Sequence, residues 1–533
     1  MPELTRTETD SLGPKLIPKE AYYGISTMRA LENFDVSTYK LHPELIRALV
    51  IVKWAALQAS NSPESKQNPT DSDKLLSDKL YGSLRASLSG EALDEERLKS
   101  EAQTLLNNIF EACEGIIGID RSPNDSSIPY EEHFAVDPIQ GGAGTSLNMN
   151  VNEVIANIAL EKSGYAKGTT NIINANDHIN MSQSTNDVVP TAARVCVRVL
   201  LNKLITSMEF LHSTFLEKSI EFADQVKIGR THLQDAVPIR LGDEFHAYAS
   251  VLQRDIDRIK NTGNHLYKVN LGATAVGTGL NALPNYTTTV IPKLNEMVNR
   301  AYPNIEFGGF KSCDSLVDGT QNTDCFTEVS AALKICMTNM SKIANDIRLM
   351  ASGPICGFGE ISLKPLQHGS SIMPGKVNPV MPELINQVAF QIIGNDLTIS
   401  LASEAGQFEL NVMQPVLIYN LIQSVSMMER AFKLFGERCV KHITVTDENK
   451  ERMEKYANKS PSLATALNPK IGYSNATKIV KGYLAASKIE DITFLEFCLR
   501  DVSLVEKFGG EKNLREALHP ANAQNSSDKR FGR

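Results

Sequence analysis

The sequence predicts a mainly α protein, a long-helix bundle with smaller helical domains at its N- and C-terminal ends, and three observations carry that prediction. Long segments place apolar residues at alternating steps of four and three, the spacing of one buried helix seam. Between them lie short stretches rich in Gly, Thr, Asn and Pro, which is the chemistry of helix ends. A chain of 533 residues, 42% of them hydrophobic, is ample for a large core.

In chain order, residues 1–137 read as an N-terminal domain of shorter, mixed helical pieces. Within it 61–100, polar and rich in Ser, Asp and Lys, reads as a surface insertion, partly helical or partly disordered. Residues 138–447 read as the central bundle domain. Between Pro190 and Pro238 the residues Val197, Leu201, Leu204, Met208, Leu211 and Phe215 form the first seam. Phe245, Tyr248, Leu252, Ile256 and Ile259 form a second. Val329, Leu333, Cys336, Met340, Ile343 and Ile347 form a third, and Leu421, Val425, Met428, Phe432 and Phe435 a fourth. Four such helices pack at crossing angles of about 20°. The seams exceed what one chain's bundle must bury, which predicts oligomerisation through them. Residues 448–533 read as a C-terminal domain ending in a frayed polar tail, ANAQNSSDKRFGR.

Charge narrows the function. Lys and Arg number 54 against 62 Asp and Glu, a formal net charge of −8, with no basic block. That balance disfavours nucleic acid and anionic membranes as partners and favours a small molecule. The N-terminal sequence has acidic residues and no apolar core, unlike a secretory or transit signal, so a cytoplasmic address is expected. No run reaches the ~18–20 apolar residues of a membrane span. The eight cysteines are scattered, without a CxxC pair or a His partner at metal-ligand spacing, and read as plain thiols; no metal site is expected.

The residues with chemical potential sit in the punctuated stretches. GSSIMPGKVNP, from Gly369, packs two hydroxyls, a lysine and an amide into one loop, with Gly and Pro setting its backbone, as a loop closing on an anion requires. An ordinary turn with a solvated lysine fits the composition equally well. NMSQSTNDVVP places Ser184, Thr185 and Asn186 just ahead of a long helix, where they can cap it or cradle a carboxylate against free N–H groups. GGAGTSLNMN offers Thr145 beside three glycines, and GRTHLQDAVP offers Thr231 and His232 after a long helix. A lone histidine is more often structural than catalytic. The patterns GxSxG, GxxxxGK[ST] and HExxH are absent, which disfavours nucleotide and metal chemistry.

Together these loops resemble the aspartase/fumarase superfamily, whose signature GSSxMPxKxNP stands at Gly369–Pro379. The resemblance also covers AYYGISTMRALENF from Ala21, GGAGTSLNMNVNEVIAN from Gly141, SQSTND from Ser182, GRTHLQDAVPIRLGDEF from Gly229 and EAGQFELNVMQPV from Glu404. It implies a homotetramer around a twenty-helix core, each active site built from three subunits. It implies Ser370 as the base that removes a proton beside a carboxylate, its alkoxide stabilised by backbone N–H groups and a nearby cation. Thr145, Ser184, Thr185 and Ser371 would hold the reacting carboxylate as it becomes an enediolate (aci-carboxylate). Thr231, Lys376 and Asn378 would hold the other, with Asn186 and His232 facing the leaving group. Glu383 would fix the tautomer of His232. No cofactor is required by the resemblance, and activation by Mg2+ would need no catalytic metal.

Within the superfamily the leaving group is ammonia from aspartate or water from malate. Tyr23, Thr185, Gln407 and Met413 resemble the aspartase branch, whose substrates are L-aspartate and fumarate, whereas His232 in GRTH is shared with fumarases. Leu147 is a departure, since a smaller or hydroxyl-bearing residue is frequent there. A class II fumarase is the alternative. A non-catalytic structural relative is the third reading, and the presence of Ser370, Lys376, Asn378, Thr185 and His232 argues against it.

Overall fold

A computed structural model of the chain describes residues 4–65, 75–87, 94–118 and 129–523. It is mainly helical, as expected. A hairpin of β1 (Thr5–Asp10) and β2 (Gly13–Pro18) comes first, a strand pair that the helical reading of residues 1–137 did not foresee. Then come α1 (Ile25–Asn33), α2 (Pro43–Ser60), α3 (Leu76–Ser87), α4 (Glu95–Ile117) and α5 (Thr145–Lys162). Of the expected insertion, α3 and the start of α4 are helical, while 66–74 and 88–93 lie outside the described residues, as does the tail from 524.

The central helices are α6 (Thr185–Glu221), α7 (Leu241–Gly263), α8 (Tyr286–Ala301), the short α9 (Leu316–Gln321), α10 (Asp324–Met350), α11 (Val380–Glu404) and α12 (Gln414–Arg438), most of them long. At 37 residues α6 is about 55 Å long. Strands β3 (Val226–Thr231) and β4 (Gln234–Arg240) form a second hairpin between α6 and α7. The C-terminal part begins with α13 (Asp447–Lys459), opened by a capping box between Thr446 and Asn449. Its shorter helices close over a cluster that includes Leu467, Tyr483, Phe494, Leu504, Leu514 and Leu518.

By contacts the chain divides into two compact units. One comprises 1–205, 257–335 and 390–429, the other 206–256, 336–389 and 430–533. All four seams read from the sequence are buried in the single chain. This corrects the expectation that they mediate oligomerisation, because a residue already covered by its own chain has no apolar surface left for a partner. The exposed apolar surface lies elsewhere. On α11, Phe390, Ile393, Leu397 and Leu401, spaced by threes and fours, are 41–65% exposed. No described helix is long and apolar enough to cross a membrane, and all eight cysteines are free thiols.

Candidate active site

In the first unit the starts of α5 and α6 converge. Gly144, at φ +91°, precedes Thr145, and a Cβ there would lie 3.2 Å from Val189 in the first turn of α6, so only glycine allows this approach. Ser184 and Asn186 are partly exposed and Thr185 is nearly buried. Asn186 N donates to Ser184 Oγ at 3.2 Å, and Ser184 N donates to Asp187 at 2.9 Å. Pro190 removes the N–H that would pair with the Asn186 carbonyl in a regular helix. Asn270 Nδ2 donates to that carbonyl instead, at 3.0 Å. Asp187, fully buried, also accepts from Gly272 N and Thr274 N at 3.0 and 3.1 Å. Burial pushes its carboxyl up to about 6, while the Ser184, Thr274 and Gly272 amides pull the other way.

The cradle is thus held from behind by the Asp187 carboxylate. Its outer side presents Thr145, whose hydroxyl donates to Gly142 O at 2.7 Å, and Asn186, whose amide donates to Ala275 O at 2.7 Å. Leu147 is buried, so the departure from the family pattern faces packing.

Deeper in this unit lies Lys53 of α2, fully buried, which the sequence reading missed. Its ammonium donates to Asn180 Oδ1 at 2.8 Å, an oxygen that also accepts from Asn148 and Asn152 at 3.2 Å each. Burial pulls the ammonium down to about 7, opposed by the Asp187 charge. The only signal in the sequence was a lysine inside the apolar run VIVKWAAL.

In the second unit, Gly369–Pro379 forms an exposed loop leading into α11. The Ser370 hydroxyl oxygen accepts from Ile372 N and Met373 N at 3.2 and 3.1 Å. Two N–H groups directed at this oxygen are what an alkoxide needs. Asn378 Nδ2 donates to Gly369 O at 2.7 Å and closes the loop's neck. That neck is so narrow that a Cβ on Gly369 would lie 2.1 Å from Lys376 O. Ser371 and Lys376 are exposed on the loop, and Glu383, in the first turn of α11, lies 4.0 Å from Arg348. Beside the loop is a cavity of about 1010 Å³, lined by Lys376 and Asn378 together with Ser362, Arg452, Lys455 and Tyr456.

Thr231 and His232 occupy the tip of the β3–β4 hairpin, not a loop at a helix end as the sequence suggested. His232 and Leu233 both have positive φ, +56° and +58°, and Thr231 pairs with Gln234, which is a two-residue type I′ turn. Asn-Gly usually fills such a turn. Here a histidine and a leucine hold it at a cost, and the tip is exposed. Within the single chain no hydrogen bond joins His232 to Glu383. The chain therefore gathers the candidate residues into three groups: the cradle, the hairpin tip and the Ser370 loop. Among the described residues no group of three or more His, Cys, Asp or Glu side chains could hold a metal ion.

The first unit thus presents hydroxyls and amides at helix starts, and the second a serine oxygen set against two backbone donors beside an exposed lysine. Comparison with known proteins gives the class. A family model described as Lyase matches residues 81–394. An aspartate ammonia-lyase from Bacillus sp is 50% identical over 518 residues, 97% of this chain and 96% of that protein. A crystal structure of fumarate lyase:delta crystallin from Brucella melitensis has a TM-score of 0.79 at 41% identity, covering 96% of this chain and 100% of the other. A recombinant class II fumarase from Schistosoma mansoni has the same TM-score at 30% identity, covering 96% and 99%. The chain belongs to the fumarase/aspartase superfamily of lyases.

Proposed function

We propose that this chain is an aspartate ammonia-lyase, a carbon–nitrogen lyase that converts L-aspartate reversibly into fumarate and ammonia. The observation that carries the reading is its 50% identity to an aspartate ammonia-lyase along nearly the whole of both chains. The match to the fumarase is 30%.

In this reading Ser370 takes a proton from the carbon beside one carboxylate. The Ile372 and Met373 N–H groups stabilise its alkoxide, with the Lys376 charge nearby. The carbanion's charge spreads into that carboxylate as an aci-carboxylate. Thr145, Ser184, Thr185 and Ser371 donate to its oxygens, and each such donor is worth ~3–4 kcal/mol in the transition state. Thr231, Lys376 and Asn378 hold the second carboxylate. Asn186 and His232 face the departing amine, with Glu383 setting the imidazole. No cofactor enters these steps, and activation by Mg2+ would need no catalytic metal.

The three groups of residues reach one substrate in a homotetramer, each site taking the cradle, the hairpin tip and the serine loop from three subunits. Two features support this assembly: the strained, exposed His232 tip and the apolar stripe on α11. Ser370→Ala tests the chemistry. Turnover of L-aspartate falls on the order of 10⁴-fold or more, while calorimetry still registers dicarboxylate binding, because a base rather than a holder is lost. Turnover within tenfold of wild type would move the base elsewhere.

A further inference from the structure

The hairpin that carries Thr231 and His232 and the segment that runs into the Ser370 loop are fastened together by one buried carboxylate. Glu360, 1% exposed, lies nine residues ahead of Gly369. Its Oε2 is 2.6 Å from Lys227 Nζ and its Oε1 is 2.8 Å from Arg230 Nη1. Lys227 and Arg230 are both on β3, three residues apart. On a regular strand residues at odd spacing face opposite ways and could not share a carboxylate.

A bulge makes the arrangement feasible. The β3–β4 register shifts between Ile228 and Arg230. Gly229 stands in that gap, where a Cβ would lie 2.9 Å from Val237 O. Across this irregularity Lys227 and Arg230 both reach Glu360, and the Arg230 guanidinium also stacks 4.2 Å from the centre of the Phe358 ring. Lys227, buried, completes its coordination with Glu244 of α7 at 3.0 Å.

The loop side is equally fixed. Glu360 N donates to Met350 O at 2.8 Å, Asn449 Nδ2 to Gly359 O at 2.7 Å and Arg452 Nη1 to Gly357 O at 3.0 Å. Bonds in both directions between Ser362 and Thr444 tie the segment at its far end. A buried carboxylate between two cations is weak evidence of stability, since desolvation offsets much of the attraction. Its value is geometric.

We propose that Glu360, clasped by Lys227 and Arg230, is a positioning residue that sets the His232 hairpin and the approach to the Ser370 loop on one frame. This rests on the reading above that both elements serve the lyase reaction. A displacement of about 1 Å in such an element costs about 100-fold in rate. Glu360 is buried between two cations and lies outside the residues assigned to the substrate, so its effect on the rate comes through their placement.

Glu360→Gln keeps size but removes the charge and sets an NH2 donor against one of the two cations, and Glu360→Asp keeps the charge but withdraws it from them. With L-aspartate as substrate, both lower kcat tenfold or more while KM stays within about threefold. Both also speed amide hydrogen exchange in 226–240 and 352–362 while other helices keep their protection. Arg230→Gln, a milder change at a partly exposed side chain, gives the same pattern if Glu360 variants fail to fold. Unchanged exchange in the hairpin, or a lowered Tm with kcat intact, overturns the proposal. Because exchange is read without substrate, a clasp that loosens as described in a protein inert toward aspartate would refute the assigned reaction and leave the clasp standing.

Discussion

Asp187 shows how a single buried side chain shapes the cradle. It accepts the N–H groups of Ser184, Gly272 and Thr274 from two separate loops, so its charge state is tied to their geometry. Its folded-state value, about 6, lies above the ordinary 3.8, so the folded chain holds this proton more tightly than the unfolded one. The corresponding stabilisation is complete below the ordinary value and is lost as pH rises through about 6. Asp187→Asn cannot titrate and removes that slope. Urea unfolding of both proteins between about pH 4 and pH 7 measures it, and parallel profiles would contradict the assignment. The loop that carries Ser370, Lys376 and Asn378 stood out in the sequence because its motif is contiguous. Asp187, Lys53 and Glu360 are legible only once distant segments are folded together.

At the scale of elements, the helices were the readable part. The Val197–Phe215 seam and its three counterparts lie buried as their spacing required. The β3–β4 hairpin was not readable, because its turn is His232-Leu233 rather than Asn-Gly and its two strands shift register part-way. That strain is measurable. Leu233→Gly relaxes a left-handed backbone and raises stability by about 1 kcal/mol in thermal unfolding; a loss of stability would mean the leucine side chain holds the tip. The serine loop makes the opposite prediction. Gly369→Ala forces a methyl toward Lys376 O and opens the neck closed by Asn378. Its kcat falls by about tenfold or more with little change in Tm, since the loop is exposed. Retained kcat would show that the neck does not shape the base.

For the whole molecule, the seams that suggested assembly are buried within one chain, and an exposed apolar stripe lies instead on α11. It escaped the sequence reading because α11 is apolar around most of its circumference, which hides any seam. On a monomer, Leu397→Glu would change stability by no more than about 0.5 kcal/mol. In the proposed tetramer it breaks the assembly, reads as a smaller species by light scattering, and abolishes activity with it. An unchanged mass and activity would place the interface elsewhere. The reaction itself is tested most directly by adding L-aspartate to one sample of the purified chain and L-malate to another, and following the ultraviolet absorbance of fumarate in each. Fumarate from aspartate alone is the predicted result, and fumarate from malate alone would make the chain a fumarase and contradict the ammonia-lyase assignment.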